Sequence, residues 1–123
     1  MSRFLVLLPA PEAEWAQLPA EEHEKGMRSH EQFHRDLAAG QHKIVAGGPL
    51  EPSARAVSMR PGERGGPALV TEGPFTESVE QIVGFYLLDS EDGDDLRRVC
   101  EEFASRGEHI EFRRMAETEE DLT

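Results

Sequence analysis

The sequence predicts an α+β domain in which helices cover one face of a mostly antiparallel sheet. Three observations predict it. Two amphipathic segments each follow an apolar run and each stop at a glycine. The remaining apolar runs are strand-length and bounded by Gly and Pro. Taken in order, these segments read β-α-β-β-β-β-α-β.

Phe4 to Leu8 is a continuous apolar run of the kind a buried strand shows, broken by Pro9 and Pro11. Pro19 then stands where a helix favours its first residue, with Glu21 and Glu22 in the positively poled first turn. This helix is expected to run to about Ala39 and end at Gly40 as its C′ residue. "HKIVAGGPL" (His42 to Leu50) reads as a strand closed by glycines and a proline. "RAVSMR" (Arg55 to Arg60) is the next, and "PGERGGP" carries the chain round to "ALVTEG". After a Gly-Pro turn comes the strand Ile82 to Asp89. In the segment "DDLRRVCEEFASRG", Leu96, Val99, Cys100, Phe103 and Ala104 share one helix face. "HIEFRRM" is the final strand, and "AETEEDLT" an acidic tail expected to fray. Residues 1–116 are read as a single domain and 117–123 as its tail.

This order suits a ferredoxin-like sandwich carrying an extra hairpin. The second sheet face calls for a partner, because Phe85 and Leu87 alternate with residues that are also apolar. Two such sheets packed face to face make a homodimeric α/β barrel.

A chain of 123 residues, 37% hydrophobic and 31% charged, has the balance of one globular domain. Its net charge of −12 argues against nucleic acid, whose phosphates reward clustered Lys and Arg. The opening apolar run is short for a signal peptide, and nothing approaches the roughly 20 apolar residues of a membrane span. A single cysteine, Cys100, allows no internal disulfide. A cytoplasmic protein without membrane partners is expected. Cys100 itself lies on the apolar helix face and reads as core.

"LVTEGPFTESVEQIVGFYLLD", with the upstream stretch "GMRSHEQFHRDLAAGQHKIVAGGPL", resembles the YciI-like (YCII-related) family, in its DGPF branch. The resemblance covers roughly residues 3 to 115. It implies a dimeric ferredoxin-like barrel with a small cleft between the first helix and the sheet, suspected as an active site. Where the branch has Asp before Gly-Pro-Phe, this chain has Glu72, whose carboxylate reaches roughly 1.5 Å further.

His30 matches the family's helix histidine and shares a stripe with Met27, Phe33, His34 and Leu37. It reads either as a packed imidazole or as a general acid–base, the role its unperturbed pKa suits. In the second reading Glu72 orients it, while Gly73, Pro74, Phe75 and Phe33 line the ligand cleft. Pro74 restricts Gly73, so backbone groups freed at the turn can face a ligand, and Thr76 and Glu77 suit a short helical turn. The turn reads equally as a simple connection that locks strand register.

His30 to His34 also spells H-E-x-x-H, a zinc-protease pattern, with His23 on the same stripe. The domain is small for a protease cleft, so no metal ligand is assigned, and metal binding by His23, His30 or His34 ranks below the other readings. "DSEDGDD" fails as a calcium loop, since Leu88 and Val99 would fall at ligand positions. Trp15 either caps the cleft or packs on the helix. "AGG" lacks the Lys of a phosphate loop, and its glycines read as close strand approach. No nucleotide motif is present, so no organic cofactor is expected. The favoured function is a lyase- or hydrolase-like proton transfer on a small molecule, with a non-catalytic ligand-binding or regulatory dimer as the alternative.

Overall fold

A computed structural model describes residues 1–116; the acidic tail, 117–123, lies outside the described residues. The chain forms β1 (Ser2–Pro11), α1 (Glu12–Ala16), α2 (Ala20–Ala39), β2 (Lys43–Pro49), β3 (Val57–Arg60), β4 (Leu69–Glu72), β5 (Glu80–Ser90), α3 (Gly93–Ser105) and β6 (Glu111–Arg114). Short 3₁₀ turns at Ser53–Arg55 and Glu63–Gly65 flank β3. Four strands make one antiparallel sheet in the order β2-β5-β1-β6, and β3 and β4 form a separate hairpin. This strand order is compatible with a ferredoxin-like α+β arrangement.

The β1–β5 pairing runs the full length of β1, from Ser2↔Ser90 to Pro11↔Glu80, with one irregularity after Leu8. Because side chains alternate along a strand, Phe4, Val6 and Leu8 join Tyr86 and Leu88 on one face. Phe33 and Leu37 from α2 and Leu96, Val99, Cys100 and Phe103 from α3 pack onto that face and complete the core. Cys100 is buried there, and burial pushes its thiol up to about 12, so it stays protonated and inert. The other face carries Leu5, Leu7, Phe85 and Leu87, all half-buried, with Arg3 and Asp89 fork-paired at 2.7 and 3.0 Å beyond them.

Several local expectations change. The short α1 is an addition to the expected element order; its Trp15 stacks on His23 at 4.4 Å, so the indole packs on α2. Pro19 is the N-cap of α2 rather than its first residue. The strand read from Arg55 begins at Val57, because residues 53–55 close a 3₁₀ turn. No helical turn forms at Thr76–Glu77; instead the Gln81 side-chain amide donates to the Thr76 and Ser78 carbonyls. Within "AGG", Gly47 does permit close approach, since a Cβ there would stand 2.7 Å from the Phe85 carbonyl oxygen, but Gly48 is open.

Gly40 ends α2 for a different reason from the one expected. Its φ is −88°, and Gln41 takes the left-handed position at 61°. Gly40 is required by what lies against it: a Cβ would stand 2.6 Å from His42 Nε2 and 2.8 Å from Asp95 Oδ2. Those atoms belong to a buried network. Ser90 Oγ, fully enclosed, accepts the Asp92 N–H and is 2.8 Å from His42 Nδ1, while His42 Nε2 is 2.8 Å from Asp95. The network ties the α2–β2 turn and the end of β5 to the first turn of α3, where Asp92 caps the helix. With His42 and Arg98 beside it, the Asp95 carboxyl is held below its ordinary value.

A pair of glycine substitutions separates these effects. Gly40→Ala is expected to cost about 1–3 kcal/mol, as it drives a methyl into the His42–Asp95 hydrogen bond. Gly26→Ala, in mid-α2 with open space at its Cβ, is expected to add about 0.5–1 kcal/mol. Urea unfolding of the two variants beside the wild type gives both values.

Candidate functional site

The spacing of α2 sets His30, Phe33, His34 and Leu37 along the face that meets β5 and α3. Phe33 is fully buried, stacked on Phe103 at 4.1 Å and edge-on to Tyr86 at 5.1 Å. It is core, and does not line an open cleft. His30 sits at the rim of this aromatic cluster, edge-on to Phe103 at 4.9 Å.

Both ring nitrogens of His30 are engaged. Nδ1 lies 2.8 Å from the Tyr86 hydroxyl and Nε2 lies 3.0 Å from Glu108 Oε1. His34 Nε2 reaches the same hydroxyl at 3.0 Å. The result is an unbroken chain, Glu108–His30–Tyr86–His34, brought together from the α3–β6 connection, α2 and β5. Arg106, at the end of α3, donates to the side chain and carbonyl of Ser29 and lies 3.9 Å from Asp36, bracing this stretch of α2.

An ionised carboxylate only accepts hydrogen bonds, so Glu108 assigns a proton to His30 Nε2. With the second His30 nitrogen unprotonated, Nδ1 accepts from the Tyr86 O–H and the Tyr86 oxygen accepts from His34 Nε2–H. Tyr86 stays a phenol: burial, with the charge of Glu108, pushes its pKa up to about 12 from 10.0.

The H-E-x-x-H spacing has a clear use here. His30 and His34 do converge on one point, and the Tyr86 oxygen occupies it. His23 is elsewhere, stacked on Trp15 and hydrogen-bonded to its carbonyl at 2.9 Å. Among the described residues, no group of three or more His, Cys, Asp or Glu side chains is placed to hold a metal ion.

Glu72, expected to orient His30, stands on β4 of the separate hairpin, and Glu108 takes the place at His30 Nε2. Glu72, Gly73 and Pro74 instead border an open hollow of about 590 Å³ against α1 and the Ser53–Ala54 turn. Gly73 has a φ of 108°, a conformation that favours glycine, and both its backbone groups are used within the chain. Its N–H donates to the Ala56 carbonyl at 2.6 Å, and its carbonyl accepts from Ser58 Oγ at 2.6 Å. Neither group is free to face a ligand. Phe75 is exposed, with the Arg60 guanidinium 4.6 Å from its ring centre.

Glu108 and His42 were not singled out from the sequence. Glu108 lies 78 positions from His30, in a loop of ordinary polar composition. His42 stands in a Ser–His–Asp grouping, but no reactant reaches the enclosed Ser90 hydroxyl, so its role is structural.

The sequence pattern of the YCII-related domain matches residues 3–111. The chain belongs to the YCII-related family. The match takes in nearly all of β1 and both long helices, and with them His30 on α2 and Tyr86 on β5. A relative, an uncharacterized protein of Rhizobium meliloti, is 43% identical over 65 residues, covering 48% of this chain. The aligned part is 51% of that relative, so the chain spans about half its length. No helix among the described residues of this YCII-related chain is long and apolar enough to cross a membrane.

Tyr86 is the chain's single tyrosine, so its ionisation is read without interference. Alkaline titration followed by tyrosinate absorbance is expected to give a midpoint near about 12 in the folded protein, against 10.0 for an ordinary tyrosine. A group whose folded pKa is raised stabilises fully below its unfolded value and loses that contribution as pH rises through the folded one. Wild-type thermal stability should therefore fall between pH 10 and about 12 by more than that of Tyr86→Phe.

Proposed function

We propose that this protein is a small-molecule-acting, cofactor-independent acid–base catalyst of lyase or hydrolase type, with His30 at its centre. One observation carries the reading: His30 has a carboxylate on one ring nitrogen and a hydroxyl on the other. A carboxylate that fixes the tautomer of a histidine leaves the far nitrogen basic and aimed, which general acid–base chemistry requires. Glu108 takes the orienting role that the sequence assigned to Glu72. Glu72, Gly73 and Pro74 keep a place in the proposal as walls of the hollow beside α1.

The working unit is proposed to be a homodimer in the cytoplasm, with two sheets closing into the barrel of the DGPF branch. Its support is the half-buried apolar face of Leu5, Leu7, Phe85 and Leu87, together with Val57, Met59, Leu69 and Val70 standing exposed on the β3–β4 hairpin. A second reading, a non-catalytic ligand-binding or regulatory dimer, is favoured by a different fact. The Tyr86 ring is buried and its hydroxyl already has two histidine partners, so His30 Nδ1 meets a reactant only after Tyr86 yields.

Thermal-shift screening of small carboxylates and carbonyl compounds against wild type and His30→Ala tests the pair. A compound that stabilises only the wild type supplies the substrate class. His30→Gln is then expected to lower turnover by about 10²- to 10⁴-fold with binding retained. Undiminished turnover removes His30 from the chemistry, whereas selective binding with no turnover supports the second reading. Sedimentation is expected to give a dimer, and a stable monomer at micromolar concentration would end the barrel.

A further inference from the structure

We propose that Glu108, His30, Tyr86 and His34 form a proton relay whose entrance is His34 Nδ1 and whose sink is Glu108. The inference builds on the acid–base reading for its purpose, but its test needs no substrate.

Once the Glu108 carboxylate takes the His30 Nε2–H and Nδ1 is left as acceptor, every donor is assigned the same direction: His34 Nε2–H to Tyr86 O, Tyr86 O–H to His30 Nδ1, His30 Nε2–H to Glu108. Heavy-atom separations of 2.8–3.0 Å suit proton transfer at every link. His34 is exposed, and its Nδ1 has no hydrogen-bond partner among the described residues, so with Nε2–H given to Tyr86 that nitrogen holds the uncommitted lone pair. Tyr86 and the inner nitrogen of His30 are shielded by Phe33 and Phe103. A reactant that cannot reach His30 directly can still reach His34.

The transfer balances. A donor X–H gives its proton to His34 Nδ1. The Nε2 proton of His34 passes to the Tyr86 oxygen, the phenolic proton to His30 Nδ1, and the Nε2 proton of His30 to Glu108. Each N–H or O–H bond broken along the line is matched by one formed, and the negative charge leaves Glu108 and appears on X. No histidine ends charged, and tyrosinate need not form if the protons move together. This suits a substrate with a proton made acidic by an adjacent carbonyl, which leaves as an enolate close to His34.

Glu108 comes from the α3–β6 connection; Arg106 at the α3 end is held by Ser29 and Asp36 on α2; and β5 contributes Tyr86. The H-E-x-x-H spacing thus finds its use in passing protons through a phenol.

Histidine-resolved ¹⁵N NMR titration tests the relay, the five histidines being assigned by single substitution. In the wild type, His30 is expected as the Nε2–H tautomer with Nδ1 accepting, and His34 as Nε2–H with Nδ1 free. Glu108→Gln is expected to shift the His34 titration midpoint by roughly half a pH unit or change its tautomer. Adding Tyr86→Phe should abolish that response.

A His34 titration indifferent to Glu108→Gln overturns the relay. An equal response with Tyr86→Phe present also overturns it, because the coupling then travels through space. If Tyr86→Phe does not fold, the wild-type tautomers still decide: His30 found as Nδ1–H breaks the chain. Turnover lost in His30→Gln without His34 coupling leaves the acid–base reading standing and removes only the relay.

Discussion

The β1–β5 register is the constraint on which the rest depends. Its residues are apolar on both faces, so composition alone does not say which face the helices take. Register does. With Val6 opposite Tyr86, the phenol stands on the side covered by α2 and α3, where His30 and His34 meet it. A slip by one residue would send Tyr86 to the opposite face and bring Phe85 and Leu87 into the core. Gly47 protects the arrangement from the other flank, since β2 can lie against Tyr86 only with no side chain there. The helices are fixed to the sheet in turn by the enclosed Ser90–His42–Asp95 network, which dictates the glycine at the end of α2.

Much of this architecture is legible in the sequence because it is periodic. The stripes of α2 and α3 and the apolar run of β1 place the helices and the central strand, and Gly-Pro marks the hairpin exit. What escapes is local or distant. The five residues of α1 are too few to show a period. Gly40 looks like an ordinary C′ glycine, and only the position of Asp95 reveals the collision that a methyl would bring. For the candidate site, the helix face of His30 is readable and its partners are not. Glu108 is one acid among 25 Asp and Glu residues, and nothing local marks the one that folding brings to His30. Glu72 drew notice through its motif, but the hairpin carries it to a hollow that His30 does not line.

The Gly-Pro-Phe turn serves the hairpin before any ligand. Its backbone closes on Ala56 and Ser58, so its first task is to hold the β3–β4 hairpin shut. The positive φ of Gly73 makes that closure possible, and the exposed Phe75 gains a cation beside it from Arg60. A motif can be specific to a family for a structural reason and still border the place where ligands are sought.

The stacking of Trp15 on His23 has a practical consequence. Trp15 is the chain's one indole, and it rides on the short helix that borders the hollow also lined by Glu72. An imidazole in face contact perturbs indole emission, so the protein carries its own optical gauge of whether that helix is seated or lifted. Occupancy of the hollow, if it displaces α1, is therefore visible as a change of intrinsic fluorescence without any label.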